Sequence, residues 1–183
     1  MRRREALAGV ASVGTLAGAG ALAVFGVPSG LLSDDSDGER RHDPIEIETV
    51  EATGSEAGTQ LVPADGEVTF VDLFATTCDV CQDQMPALGE AADRVGDDVT
   101  FISITNETAD QVPDDDLVDW WDEYDGRWQL GRDPTSELIV HYGTATPIAV
   151  LFDRDGRVQW EESGRKSSDE IVSRIEDVRA ETE

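Results

Sequence analysis

One nearly unbroken apolar run ending in two cysteines constrains this chain more than any other feature. Residues 70–86 read FVDLFATTCDVCQDQMP and hold both cysteines of the 183-residue sequence. Val68 to Ala75, bounded by Gly66 and by Thr76-Thr77-Cys78, has the length and composition of a strand buried on both faces. A helical pattern follows from about Asp79 to Val95 and is closed by Gly96, a residue suited to a helix end. Cys78 therefore falls where first-turn N–H groups lack partners and the helix dipole presents positive charge, so a thiolate is stabilised there. Cys81 follows one turn later, within reach of a disulfide that can close and open without moving the fold.

Two other uses of a cysteine pair carry less weight. Tetrahedral zinc needs two further ligands, and the remaining candidates are only His42 and His141, with no second Cys-x-x-Cys. A purely structural bridge has no need of a strand-to-helix junction. The pair reads as a redox couple, and no metal or cofactor is assigned to it.

The rest of the chain supplies a sheet around this strand. Ile45 to Val62 alternates apolar and polar residues about Gly54-Ser55, as an N-terminal hairpin would. Val99 to Thr105 (VTFISIT) is a second central strand, and Asp114 to Tyr124, after Pro113, carries Leu117, Trp120, Trp121 and Tyr124 at helical spacing. That spacing marks the two tryptophans as core. A short segment at Trp128 to Gly131 leads to a helix over Pro134 to Tyr142, then strands at Ile148 to Phe152 and Val158 to Trp160 flank Asp153-Arg154-Asp155-Gly156. Ser167 to Thr182 closes the chain as a helix. Strands alternating with helices and ending in a hairpin define an α/β protein with a mixed central β-sheet flanked by helices.

Charge excludes one class of partner. The sequence has 14 Lys+Arg against 40 Asp+Glu, a net charge of -26, so nucleic acid is not an expected ligand. Hydrophobic residues make up 39%, enough for a core and against general disorder. Lys166 is the sole lysine, and scarce lysine beside abundant carboxylate resembles the proteins of salt-loving archaea. At molar salt the Debye length is about 3 Å, so carboxylate repulsion is largely screened. The rival explanation is an acidic surface for a basic partner.

The N-terminus reads as an export segment. Arg2-Arg3-Arg4 precede 22 uncharged residues from Ala6 to Val27, rich in glycine, alanine and leucine, which resembles a twin-arginine signal. Roughly 20 apolar residues span a bilayer, so residues 6–27 could equally serve as an uncleaved anchor. Residues 1–32 are thus expected to be signal or anchor, 33–44 a flexible acidic linker, and 45–183 the folded domain.

The wider pattern resembles a thioredoxin-fold protein of the TlpA/ResA type. Asp72, six residues before Cys78, stands where thioredoxins keep the buried acid that moves the second cysteine's proton. Pro86 matches the proline inside the active-site helix. Thr146-Pro147 matches the cis-proline that faces the disulfide, its preceding residue offering backbone hydrogen bonds to the substrate. The extra residues between Cys78 and Pro147 resemble the TlpA-type central insertion. The likeness covers Val68 to the C-terminus. Departures are Thr77 for the usual tryptophan, Gln84 for a glutamate and Ile148 for a threonine.

The resemblance implies a thiol-disulfide oxidoreductase with Cys78, Cys81 and Asp72 as catalytic residues and Thr77, Thr146 and Pro147 against the substrate. Its partners would be a protein thiol or disulfide and a membrane or extracytoplasmic electron donor, with cytochrome or oxidase maturation as the family setting. Asp79 adds negative charge beside the Cys78 thiolate, which favours the disulfide form of the protein and hence a reductase. Two alternatives stay open: a Sco-like copper chaperone on the same fold, using both cysteines and a histidine, and a non-catalytic thioredoxin-fold adaptor.

Overall fold

The computed structural model describes residues 41–181; the expected signal or anchor and linker residues 33–40 lie outside them. Seven strands form one sheet in the order β2-β1-β5-β4-β3-β6-β7. They are β1 (Ile45–Thr49), β2 (Gly58–Val62), β3 (Val68–Phe74), β4 (Val99–Thr105), β5 (Gln129–Arg132), β6 (Ile148–Phe152) and β7 (Val158–Ser163). The helices are α1 (Asp79–Val95), α2 (Asp114–Glu123), α3 (Glu137–Tyr142) and α4 (Ser168–Glu181).

β3 lies inside the sheet between β4 and β6, and all seven of its residues are buried. It pairs parallel with β4 and antiparallel with β6. Its side chains alternate between two cores. Val68, Phe70 and Phe74 join residues of α1, α2 and α4, whereas Val71 and Leu73 join Leu138, Ile139 and Tyr142 of α3 together with Ile47 and Val62 of the hairpin. Each large apolar side chain fully buried in these layers contributes roughly 1.5–3 kcal/mol. Asp72 shares the face of Phe70 and Phe74, the one against which Cys81, Met85 and Leu88 of α1 pack.

The expected hairpin, central strands and mixed α/β, thioredoxin-like architecture are all present, and the central insertion appears as α2 and β5, which extend the sheet beside β4. Trp120 and Trp121 are buried, the latter completely. Gly126 is required beside Trp121, since a Cβ there would come within 2.2 Å of the indole ring.

Three details differ from the sequence reading. The helix expected from Pro134 begins only at Glu137, because the Asp133 carboxylate accepts from Leu138 N and Thr135 Oγ1 and holds the intervening residues in a turn, with Ser136 at φ 60°. β7 continues to Ser163 through the polar Glu161 and Glu162, pairing with β6 as far as Ile148. Residues 41–44, expected in the linker, are held in place. Arg41 bridges Arg157, the His42 N–H donates to Gly156 O, and the His42 ring stacks on Tyr142 at 5.6 Å.

Candidate active site

Cys78 ends the turn after β3 and caps α1 with extended backbone, φ -93° and ψ 104°. It forms a disulfide with Cys81. Cys78 is half-buried while Cys81 is 2% exposed, so only the first sulfur is open to a large partner. The Cys81 N–H points at Cys78 Sγ across 3.1 Å. A thiolate on Cys78 would keep that donor and the dipole of a 17-residue helix behind it.

The cis Thr146–Pro147 bond opens β6 against this turn. Cys78 Sγ lies 3.6 Å from the Thr146 carbonyl oxygen, a contact that becomes a hydrogen bond only when the sulfur carries a proton. Thr77, next to Cys78, is exposed, and so is Val80 between the cysteines, at 46%. The Thr146 carbonyl thus lies against the reactive sulfur, with Thr77 exposed beside Cys78 and Pro147 buried next to Thr146.

Asp72 sits in the sheet behind it, 3% exposed. Burial pushes its carboxyl up from 3.8 to about 7, against the opposing pull of the Ser103 hydroxyl and the Lys166 ammonium. Ser103 Oγ donates to Asp72 Oδ2 at 3.0 Å and accepts from Trp128 Nε1 at 3.0 Å. A carboxyl that titrates about 7 can exchange a proton with a thiol near neutral pH.

Sequence reasoning missed Glu107. Its Oε2 accepts from Thr76 N at 2.9 Å and its Oε1 from Thr76 Oγ1 at 2.9 Å, while Gln82 Nε2 donates to Thr76 O at 3.2 Å. The turn that carries Cys78 is therefore clamped between the loop after β4 and the first turn of α1. The available signal was position: Glu107 follows the carboxyl end of a central parallel strand, where α/β sheets place functional groups. Gln84, noted for replacing a glutamate, is buried and accepts from Lys166 N at 2.8 Å.

His141, the histidine considered for copper, stands 5.0 Å from the His42 ring and 4.7 Å from the Tyr142 ring, in contact with the other core. Among the described residues no group of three or more His, Cys, Asp or Glu is arranged to hold a metal ion.

This sheet, with a Cys-x-x-Cys capping the helix after its central strand and a cis-proline against it, is that of a thioredoxin-like oxidoreductase. The chain belongs to the Redoxin family, whose profile matches residues 45–178. No curated protein matches it by sequence. Among solved structures it is similar to StoA from Bacillus subtilis, with 16% identity, a TM-score of 0.62, and 72% of this chain and 96% of that one covered. The exposed lipoprotein thioredoxin of Streptococcus pneumoniae matches at 19% identity and TM-score 0.59, over 74% of this chain and 99% of its own. A secreted Mycobacterium tuberculosis disulfide oxidoreductase homologous to DsbE matches at 18% and 0.56, over 70% and 94%. At these identities the likeness is one of fold.

Proposed function

We propose that the protein is an extracytoplasmic reductase of protein disulfides that works through the Cys78/Cys81 couple. The observation that carries this reading is the asymmetry of the pair: a half-buried Cys78 on the helix cap, a buried Cys81 behind it, and Asp72 on the strand face against which Cys81 packs.

In the reduced protein the Cys78 thiolate attacks one sulfur of a substrate disulfide, forming a Cys78–substrate disulfide and expelling the other substrate sulfur as thiolate. Asp72 takes the Cys81 proton, and the Cys81 thiolate attacks Cys78 Sγ. The Cys78–Cys81 disulfide forms, the second substrate thiolate leaves, and two electrons have passed to the substrate. Thr77, Thr146 and Pro147 would receive the substrate chain, the Thr146 N–H and C=O offering strand-like hydrogen bonds beside the sulfur.

Direction follows from charge. The exposed Asp79 and the Glu107 carboxylate on Thr76 both add negative charge near Cys78, disfavouring the thiolate form and making the dithiol the stronger electron donor. Location rests on residues 1–32 as twin-arginine-like signal or anchor and on relatives described as secreted or exposed. An extracytoplasmic or membrane donor would then re-reduce the pair, with cytochrome or oxidase thiols among the substrates. The charge of -26 is assigned to a saline habitat.

The test is the reduction potential of the pair, by thiol trapping in graded dithiol buffers at molar KCl. A reversible couple near or below about -270 mV supports a reductase, and one near about -120 mV reverses the direction. Failure to form a reversible disulfide returns the pair to copper binding.

A further inference from the structure

The sequence uses arginine thirteen times and lysine once. That single lysine, Lys166, is buried in the loop between β7 and α4, its side chain 2% exposed. A buried ammonium is costly unless its protons are met. Lys166 Nζ donates to Ser163 O at 2.9 Å and to Gly164 O at 2.8 Å, lies 3.7 Å from Glu162 Oε1, and sits 5.9 Å from the centre of the Trp160 ring. An ammonium presents three protons from one compact centre and can satisfy two carbonyls of a tight loop; the flat guanidinium fork of arginine is built for a different geometry.

Two of the groups that Lys166 fixes lead toward the active site. The N–H of Gly164, whose carbonyl the ammonium holds, donates to the Pro147 carbonyl at 2.8 Å. The Lys166 N–H donates to Gln84 Oε1, and Gln84 lies one turn past Cys81 on α1. Lys166 is also the cation that acts on Asp72. Ser103 from β4 faces Asp72, and Glu162 and Trp160 from β7, Gln84 from α1 and Arg174 of α4, over the same indole at 5.5 Å, surround the lysine.

We propose that Lys166 is a positioning residue for the thiol-disulfide reaction, its ammonium fixing the loop that holds the Pro147 carbonyl while its charge acts on the Asp72 carboxylate. Substrate-binding backbone and proton acceptor are then governed by one cation. The inference rests on Asp72 being the proton acceptor for Cys81.

With one lysine there is one lysine side-chain ammonium signal to follow. The oxidised full-length protein, labelled with 15N,13C-lysine, is titrated from pH 5 to 9 at molar KCl. The Cε and Nζ resonances should inflect near pH 7, keep that inflection in Glu162→Gln and lose it in Asp72→Asn. In parallel, kcat/KM for reduction of a single-disulfide peptide is measured against pH. Lys166→Met should shift the acid limb of that profile to higher pH, since less of Asp72 is ionised without the cation. Lys166→Arg should hold the limb at the wild-type pH while raising KM, because the charge stays and the loop geometry changes. A flat lysine signal, or an inflection surviving in Asp72→Asn, overturns the proposal, as does an unmoved acid limb in folded Lys166→Met. If Lys166→Met does not fold, the lysine titration in wild type and Asp72→Asn decides. Should Asp72→Asn leave the rate profile unchanged while the lysine inflection is present and lost in that variant, the proton-acceptor role fails and the lysine–carboxylate coupling stands.

Discussion

Ser103 Oγ donates to Asp72 Oδ2 at 3.0 Å from the neighbouring position of the β3–β4 ladder. The direction of this bond is set from the other side. Trp128 Nε1 can only donate, and it occupies a lone pair of the same hydroxyl at 3.0 Å, which turns the single Ser103 proton toward the carboxyl. The acid is thus buried yet supplied with one fixed donor, which keeps it from rising further.

Ser103→Ala removes that donor, so the Asp72 carboxyl should titrate above its value of about 7. The acid limb of the activity profile should move to higher pH. The variant also strands the Trp128 indole N–H, a loss of roughly 1–3 kcal/mol in denaturant unfolding. Measuring both separates the electrostatic effect from the structural one.

Asp72→Asn should have opposite effects on activity and stability. A folded-state value of about 7 against 3.8 for the free group means that the native protein holds a proton the unfolded chain has released. Stability from this group is present at low pH and is lost as pH rises from about 3.8 to about 7, staying flat above. Each pKa unit being about 1.4 kcal/mol, Asn should stabilise the oxidised protein above pH 7 by up to about 4 kcal/mol. Resolution of the mixed disulfide should slow, as read by stopped-flow on the same variant.

The two cysteines should fail differently. Cys81→Ser, incubated with a disulfide peptide, should accumulate a covalent Cys78–peptide adduct visible by mass. Cys78→Ser should form none, because the remaining sulfur is 2% exposed.

Glu107→Ala removes two charge-assisted bonds to Thr76 and should cost roughly 1–3 kcal/mol of stability. Hydrogen exchange at the Thr76 amide should accelerate, and Glu107→Gln, which keeps an acceptor for one of the two donors, should recover part of the protection.

Raising KCl from about 0.1 M to about 2 M should raise the melting temperature. The Debye length shortens from about 10 Å to below 3 Å, relieving repulsion in a chain with 40 acidic residues against 14 basic. The exposed pairs Arg94–Asp169 and Arg127–Asp93 weaken at the same time, but such surface pairs contribute at most about 1 kcal/mol each. A melting temperature that falls with KCl would remove the saline explanation of the charge.

The sequence by itself determined the elements around the cysteines. An apolar run long enough to be buried on both faces, a helix pattern closed by Gly96 and a Cys-x-x-Cys between them are local signals of period and capping, and the structure repeats α1 and β4 with the expected bounds and β3 one residue shorter, ending at Phe74. Thr146-Pro147 and Asp72 were singled out differently, through the resemblance to thioredoxin-fold proteins. Only tertiary structure decided what surrounds them. Ser103 reaches Asp72, Trp128 reaches Ser103, Glu107 reaches Thr76 and Lys166 reaches Gln84 across separations of 25 to 82 residues. A polar residue carries no mark of its partner, since the partner is set by sheet order and register. β3 lies between β4 and β6 in the sheet, and it is there that burial turns an ordinary aspartate into a group that titrates about 7.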